Sequence, residues 1–339
     1  MIVKQLFDED SSTYTYLLAD PSSRQAVIID TVAEKLERDL QVIGELGLEL
    51  VYILDTHVHA DHVTGSGPLR EKTGAKTVVS AAADVACADV AAQPGQQLAF
   101  GSYSVEVRST PGHTDGCVTF VVRDQEQTYA FTGDAVLTGG CGRTDFQQGN
   151  ARTLYRSVHE QIFTLPDDTI LFPAHDYHGR TSSTVGQERA QNMRLNSEVS
   201  EDEFVEIMAR LDLPRPKRMD EAVPANLACG RTEDPTRPQV RNIDPSQLDE
   251  RMGYRIIDVR QPEEFNDELG HIEGAALVPL PTLAKEAAQW SHDDKLLLVC
   301  RSGGRSGQAC EYLAGQGFRD VTNLAGGMLA WQRRGQRSA

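Results

Sequence analysis

The amino-acid sequence predicts two α/β units in succession, the first with mixed sheets covered by helices and the second with a small parallel sheet. Three observations lead to this prediction. Short apolar runs alternate with helical stretches along the whole chain, the composition changes near residue 212, and a new alternation starts at 255. The 339 residues are enough for two hydrophobic cores. We therefore expect one domain at 1–235, with a tail and linker from about 213, and a second domain at 242–335.

The first unit begins with two strand-like runs at 14–18 and 25–29, separated by the turn-forming sequence Asp-Pro-Ser-Ser. A helix is predicted at 33–46 because leucine and isoleucine recur there on one helical face. The apolar run at 50–54 is a further strand. The remaining strands are expected at 76–80, 104–108, 118–122, 129–132 and 170–172, with helices at 154–163 and 185–195.

A proline-rich segment separates the two units. Six prolines occur between Leu213 and Pro245, which indicates the tail of the first domain followed by a stiff connector. Beyond it, strand-like runs alternate with helical stretches, and this alternation is typical of a parallel sheet. The strands are expected at 256–259, 275–279, 295–299 and 321–324, and the helices at 306–316 and 328–333.

Composition and charge narrow the class of partner. A net charge of −17 argues against a nucleic-acid backbone or an anionic membrane as the main partner. The N-terminus lacks a targeting pattern and no stretch reaches the length of a membrane span, so we expect a cytoplasmic protein. The six cysteines form no Cys-x-x-Cys pair, and in a reducing compartment most should be free thiols.

Potential metal ligands follow the predicted strands of the first unit. The run at 50–54 leads into Thr-His-Val-His-Ala-Asp-His at 56–62, and further histidine and aspartate residues follow later strands. This recurrence argues against a histidine-rich turn that meets no ion. Nitrogen and oxygen donors admit zinc, iron or manganese, bound as one ion or two. The candidate ligands are His57, His59, Asp61, His62, His113, Asp134 and His175.

In their order along residues 1 to about 235, these motifs resemble the metallo-β-lactamase superfamily. The resemblance implies an αββα sandwich with the site along one edge of the sheets. It does not fix one reaction, because lactamases, glyoxalase II thioesterases and nucleases carry similar ligands.

The segments at 139–149 and 173–179 are similar to the persulfide dioxygenase branch. That resemblance implies one Fe(II) per chain, held by His57, His113 and Asp134, and oxidation of glutathione persulfide by O2 to glutathione and sulfite. The other four candidates, His59, Asp61, His62 and His175, would then surround an empty second site.

Arg143 and Tyr177 are candidates for holding the glutathione part of the substrate or lining the site. An arginine fork matches a carboxylate, and a tyrosine hydroxyl can donate a hydrogen bond. An ordinary structural salt bridge at Arg143 is an equally good interpretation.

The second unit carries a loop suited to an anion. The strand at 295–299 ends in Cys-Arg-Ser-Gly-Gly-Arg-Ser at 300–306, where backbone N–H groups, a helix start and two arginines favour a thiolate. A Cys-x5-Arg phosphatase would need arginine at 306, where this chain has serine. We expect Cys300 to be a nucleophile, assisted by Arg301, Ser302, Gly303, Gly304 and Arg305.

Over about 243–335 the chain resembles the rhodanese family, through Ile-Asp-Val-Arg-Gln-Pro-Glu-Glu-Phe at 257–265, Gly-His-Ile-Glu-Gly-Ala at 270–275, the Cys300 loop and the segment at 324–331. The resemblance implies that Cys300 takes sulfane sulfur from thiosulfate or a persulfide and passes it on. The alternative is a rhodanese-like domain that has lost its catalytic activity, in which Cys300 is only a packed core residue.

The two resemblances together imply a bifunctional enzyme of sulfide detoxification whose partners are glutathione persulfide, glutathione, thiosulfate, sulfite and O2. The sequence leaves open whether the chain forms a homo-oligomer. One alternative is a dinuclear zinc thioesterase of glyoxalase II type fused to a sulfurtransferase. Another is a non-enzymatic persulfide sensor or carrier that stores sulfur on Cys300.

Overall fold

The computed structural model describes residues 1–125, 127–211, 213–230, 240–248 and 253–336. The chain divides into two compact units, Met1–Arg231 and Thr232–Ala339. The domain boundary predicted near 235 lies outside the described residues, as do two of the linker prolines, Pro235 and Pro238. Every helix within the described ranges is too short or too polar to cross a bilayer.

A six-stranded mixed sheet forms the first half of the first unit. Its strands lie side by side in chain order, antiparallel from β1 to β3 and parallel from β3 to β6. The strands are β1 (Ile2–Asp8), β2 (Thr13–Ala19), β3 (Gln25–Ile29), β4 (Glu49–Leu54), β5 (Lys76–Ser80) and β6 (Val90–Ala92). Two helices connect them, α1 (Leu36–Glu45) and α2 (Ser66–Thr73).

A second six-stranded sheet follows, in the order β12-β11-β10-β9-β8-β7, and only β10 and β11 are parallel. Its strands are β7 (Gln97–Phe100), β8 (Tyr103–Ser109), β9 (Val118–Asp124), β10 (Gln127–Gly133), β11 (Ile170–Pro173) and β12 (Ser183–Thr184). The helices of this half are α3 (Ala151–Ser157), continued by a π-helical turn at Val158–Ile162, then α4 (Val185–Gln191), α5 (Glu201–Ala209) and α6 (Met219–Leu227).

The two sheets pack face to face. One buried cluster joins Ile29 and Leu54 of the first sheet to Phe100, Phe120 and Phe131 of the second. Separate clusters pack α1 and α2 against the outer face of the first sheet, and α3 to α5 against the second. The order of layers is therefore helix, sheet, sheet, helix, which confirms the expected αββα sandwich.

The second unit is a five-stranded sheet in the order β13-β17-β16-β14-β15, with every described pair parallel. This confirms the predicted small parallel sheet. The strands are β13 (Arg241–Ile243), β14 (Arg255–Asp258), β15 (Ala276–Leu277), β16 (Lys295–Val299) and β17 (Asp320–Leu324). The helices are α7 (Pro262–Phe265), α8 (Leu283–Ala287), α9 (Gly304–Gly315) and α10 (Gly327–Gln336).

A fully buried ion pair supports the corner after β14. The Arg260 guanidinium donates to both carboxylate oxygens of Asp258, and its remaining donors reach the carbonyl oxygens of Glu264 and Gly270. A buried charge is tolerated only when it is paired in this way. The pair therefore fixes α7 against the end of the sheet, where Glu264 faces the Cys300 loop.

Two predicted elements differ from the structure. The segment after 213 is more than a connector, because α6 lies within it with Pro224 inside the helix. The helix predicted at 185–195 ends at Gln191, since Asn192 is extended and its side chain bonds to the Gly140 carbonyl and the Leu195 N–H.

Candidate metal centre and cysteine loop

The candidate metal ligands lie at the ends of strands from both sheets. His57 follows β4, His113 follows β8, and Asp134 follows β10. One ligand atom from each of these three residues lies within 4.8 Å of the other two. The sandwich thus brings together three side chains that are up to 77 residues apart in the sequence (134 − 57 = 77).

His57 is held in one tautomer by a chain of hydrogen bonds. The Thr56 hydroxyl donates to Asp30 Oδ2 at 2.9 Å, so its oxygen must accept the proton of His57 Nδ1 at 3.0 Å. Burial and the neighbouring imidazoles of His59 and His113 hold the pKa of His57 well below its usual value. The ring is therefore neutral, and its Nε2 lone pair is left for a metal.

His113 and Asp134 are positioned by the loop after β10. His113 Nδ1 donates to the Arg143 carbonyl oxygen at 2.7 Å, and Nε2 lies 3.4 Å from Asp134 Oδ2. Gly142 N–H donates to the Asp134 carbonyl at 2.8 Å. Only glycine fits at 142, because a Cβ there would lie 2.7 Å from the Asp134 oxygen. Both candidate ligands therefore depend on the path of this loop.

Helix α4 and the turn after it anchor the same loop from the other side. The buried Glu188 carboxylate accepts the Gly139 N–H, and Asn192 donates to the Gly140 carbonyl at 2.9 Å and to Glu188. The Glu188 charge is thus satisfied by hydrogen-bond donors and needs no cation.

A second group of candidate ligands lies beside the first. Ligand atoms of His59, Asp61 and His175 also fall within 4.8 Å of one another. The Thr13 hydroxyl lies 3.3 Å from His62 Nδ1 and 3.5 Å from His175 Nδ1, which leaves Nε2 of both rings directed away from it. All seven predicted ligands are therefore brought to one end of the sandwich.

His59 differs from His57 in its environment. Its Nε2 lies 3.2 Å from Asp30 Oδ1. Burial opposes the charged ring, but Asp30, with Asp61 and Asp55, outweighs it and raises the pKa of His59 to about 9. Asp30 therefore supports both histidines, one directly and one through Thr56.

The donor set fits a transition-metal ion. Among the described residues, Asp134 Oδ1, His59 Nδ1 and His62 Nε2 are buried side-chain atoms that have no hydrogen-bond partner. Buried polar atoms are rarely left in this way, and imidazole nitrogen and carboxylate oxygen are the donors that zinc, iron and manganese accept. A cation bound among these side chains would supply the kind of partner that such atoms lack.

The two predicted substrate-binding residues have different surroundings. The Arg143 guanidinium pairs with both Asp145 oxygens, at 2.7 and 2.8 Å, and donates to the carbonyls of Leu213 and Pro214. The Arg143 side chain therefore makes a structural salt bridge, which was one of the two interpretations of the sequence. Tyr177 is 68% exposed, and its ring is nearly parallel to that of His175. Contact of either residue with a substrate stays a prediction.

Helix α6 packs against the loop at 56–64, called the metal loop because it carries four of the seven candidate ligands, and the sequence did not predict this role. The buried Asn226 donates to the carbonyl oxygens of His59 and His62, both at 2.9 Å, and accepts the Thr64 N–H at 2.8 Å. Just beyond, Cys229 forms a disulfide with Cys87. The other four cysteines are free, in line with the expectation that most are thiols.

We expect Asn226→Ala to lower the free energy of unfolding of the first unit by about 2–4 kcal/mol, because three buried backbone groups lose their partner. The same variant should lose metal on gel filtration more readily than the unsubstituted protein. Gln41→Ala is the control, since it removes an exposed amide with one hydrogen bond to Glu45. Unchanged metal retention in Asn226→Ala would show that α6 does not support the loop.

In the second unit, Cys300 lies at the end of β16 and is fully buried. Gly303 N–H donates to its Sγ at 3.1 Å, and the Ser306 hydroxyl lies 3.3 Å from the same sulfur. Gly303 has a φ of +97°, and a Cβ there would lie 3.0 Å from the Gly326 nitrogen. The turn at Gly303 therefore brings a backbone N–H group to the sulfur, while binding of an anion by this loop stays a prediction.

A carboxylate on helix α7 holds the Arg305 side chain in place. Its guanidinium makes two hydrogen bonds with the Glu264 carboxylate, at 2.6 and 2.8 Å. Burial opposes the charge on Glu264, but the bonds from Arg305 outweigh it and lower the pKa of Glu264. The arginine is thus held beside the loop by the α7 corner that Arg260 supports.

Comparison with known proteins assigns each of the two units to a family. Residues 8–175 match the metallo-β-lactamase superfamily, and residues 244–334 match the rhodanese-like domain. The mitochondrial persulfide dioxygenase ETHE1 of Homo sapiens is 54% identical over 231 residues, which cover 68% of this chain and 89% of that protein. A hydroxyacylglutathione hydrolase of Brucella ovis is 36% identical over 170 residues, covering 49% of this chain and 63% of that protein.

Solved structures that are similar to the chain include the following two. ETHE1 from Myxococcus xanthus superposes with a TM-score of 0.65 at 49% identity, covering 68% of this chain and all of that one. A metallo-β-lactamase from Staphylococcus aureus gives a TM-score of 0.63 at 24% identity, covering 96% of this chain and 98% of that one. The second likeness concerns the fold alone.

Proposed function

The chain belongs to the metallo-β-lactamase superfamily and continues into a rhodanese-like domain, and we propose that it is a bifunctional persulfide dioxygenase and sulfurtransferase. The observation that carries the first half is the 54% identity to a persulfide dioxygenase across the unit that contains the metal centre. The second half is supported by the match of residues 244–334 to the rhodanese-like domain, and by the Gly303 N–H and Ser306 hydroxyl groups that lie near Cys300 Sγ.

In this proposal one Fe(II) is held by His57, His113 and Asp134, and His59, Asp61, His62 and His175 surround it. The close approach of the first three ligand atoms supports the assignment. With two imidazoles and a carboxylate as ligands, a bound Fe(II) would supply a centre at which a sulfur anion and O2 could react together. Thr56 and the Arg143 carbonyl fix the tautomers of the two histidines.

The substrate in this proposal is glutathione persulfide, which with O2 and water yields glutathione and sulfite. Tyr177 is the better placed of the two predicted substrate-binding residues, because it is exposed beside His175. Arg143 contributes its carbonyl oxygen to His113, and a change of salt-bridge partner would be needed for its side chain to hold a carboxylate.

The sulfurtransferase proposal assigns attack on the sulfane sulfur to Cys300. Thiosulfate and glutathione would give glutathione persulfide and sulfite, or the reverse, according to concentrations. The loop residues Arg301, Ser302, Gly303, Gly304 and Arg305 would bind the anionic donor through backbone N–H groups and positive charge.

A dinuclear zinc thioesterase is the second candidate for the first unit. Two observations favour it, the second ligand group of His59, Asp61 and His175 and the similarity to a hydroxyacylglutathione hydrolase. Such an enzyme would hydrolyse S-lactoylglutathione without O2.

Metal content of freshly purified protein, coupled to O2 consumption with glutathione persulfide, distinguishes the two. We expect about one iron atom per chain and prompt O2 uptake that yields sulfite. About two zinc atoms per chain, hydrolysis of S-lactoylglutathione and no O2 uptake would overturn the dioxygenase proposal in favour of the thioesterase.

A further inference from the structure

The Ser306 hydroxyl has one proton and three acceptors within reach. Ser306 is fully buried, and its Oγ lies 2.6 Å from Asn323 Oδ1, 3.3 Å from Cys300 Sγ and 3.3 Å from the Gly303 carbonyl oxygen. A hydroxyl rotates but donates one hydrogen bond at a time. The shortest of the three distances places the proton on the Asn323 side in this structure.

Asn323 is held so that its carbonyl oxygen faces Ser306. The residue is buried in β17, and its Nδ2 donates to Asn242 Oδ1 at 2.8 Å. Asn242 is its direct partner across β13 and β17, so the two amides lie side by side. This arrangement makes Asn323 a fixed competitor for the Ser306 proton.

The sulfur of Cys300 needs donors whenever it is charged. Gly303 N–H is one such donor at 3.1 Å, and each donor that reaches a buried thiolate lowers the free-energy cost of its charge. Cys310, in α9, shows what burial does to a thiol: it raises the pKa of Cys310 well above its usual value, so that this thiol stays protonated. Other charged groups on the elements round the loop are Arg301, Arg305, Glu264 and the Asp258–Arg260 pair.

We propose that Ser306 is a catalytic hydrogen-bond donor to Cys300 Sγ, turning its hydroxyl from Asn323 to the sulfur when that sulfur becomes a thiolate. The inference deepens the proposed sulfurtransferase function and rests on it. No proton leaves Ser306; its O–H bond rotates between two acceptors.

Rotation of the Ser306 hydroxyl affects the step in which Cys300 releases its sulfane sulfur to an acceptor. An acceptor thiolate attacks the outer sulfur of the Cys300 persulfide, a new S–S bond forms to the acceptor, and the bond between Cys300 Sγ and the outer sulfur breaks. The electron pair of the broken bond goes to Sγ, which leaves as a thiolate. A hydroxyl that turns to Sγ stabilises the developing charge, and such stabilisation accelerates the step.

The test is a titration of Cys300 in the full chain by the ultraviolet absorbance of its thiolate, with the Cys300→Ser form of each variant subtracted. Ser306→Ala should raise the pKa of Cys300 by about one unit and slow sulfur release to glutathione roughly tenfold. Ser306→Thr, which keeps the hydroxyl, should restore both. Asn323→Ala should shift the pKa of Cys300 downward, since the competing acceptor is gone.

Thr322→Ala is the matched control, because it removes a buried hydroxyl on the same strand that bonds to Tyr254 rather than to the loop. An unchanged Cys300 pKa in Ser306→Ala, or a rise in Asn323→Ala, would overturn the proposal. If Ser306→Ala does not fold, the direction of the Asn323→Ala shift decides. Failure of the unsubstituted protein to transfer sulfur while the titrations shift as expected would reject only the sulfurtransferase function.

Discussion

His113→Ala is expected to remove the metal and abolish O2 uptake while sulfur transfer by the second unit stays close to the unsubstituted rate. The substitution deletes one of the three side chains whose ligand atoms lie within 4.8 Å of one another. Loss of even an indirect support of a metal costs about 10–100-fold in affinity, and loss of a ligand should cost more. Metal content and O2 consumption with glutathione persulfide measure the effect.

His159→Ala is the control for this prediction, because His159 packs between Tyr155 and Phe163 and is not among the candidate ligands. Both tryptophans, Trp290 and Trp331, belong to the second unit, so their fluorescence shows whether that unit stays folded. Full metal content in His113→Ala would exclude His113 as a ligand. Loss of sulfur transfer as well would mean that the two units depend on each other.

Cys300→Ser should abolish transfer of sulfur from thiosulfate to glutathione, by about three orders of magnitude or more, and leave O2 uptake unchanged. Serine keeps the size of the side chain but cannot carry sulfane sulfur as a persulfide, and its hydroxyl is not ionised at neutral pH. The rates of sulfite release from thiosulfate and of persulfide formation on glutathione measure the effect.

Cys310→Ser is the matched control, since Cys310 is a second buried thiol, in α9 of the same unit. Survival of transfer in Cys300→Ser would show that Cys300 is not the nucleophile. A single sulfur loaded per chain without turnover in the unsubstituted protein would instead favour the sensor or carrier hypothesis.

The candidate ligands could be predicted because each follows an apolar run of strand length. Strand ends of a layered sandwich meet at one edge, so the seven candidates could be expected there together. The choice of His57, His113 and Asp134 among them is what the resemblance to the persulfide dioxygenase branch implies. Asp30 has a similar position directly after β3, and that placement could have identified it. Nothing in the sequence next to Thr13 or Asn226 indicates that these residues contact the candidate ligands.

The role of α6 was missed because its sequence is misleading. Pro224 lies in a segment rich in proline, which normally argues against a helix, and the tertiary contacts of Asn226 are invisible to local patterns. At Arg143 the sequence left a salt bridge open, and its partner Asp145 is only two residues away. Local pairs of this kind can be anticipated, whereas contacts between distant segments depend on the fold.

The support that Asn226 gives to the metal loop has a consequence for how the protein is made. Its hydrogen bonds reach back 162 to 167 residues, and the Cys87–Cys229 bridge spans 142. A nascent chain that has just emerged past His175 holds all seven candidate ligands but still lacks Asn226, 51 residues later (226 − 175 = 51). At about 5–20 residues per second this interval lasts roughly 3–10 seconds. We therefore expect stable metal capture only after Asn226 has been synthesised, because the histidine loop leaves the ribosome well before its support exists.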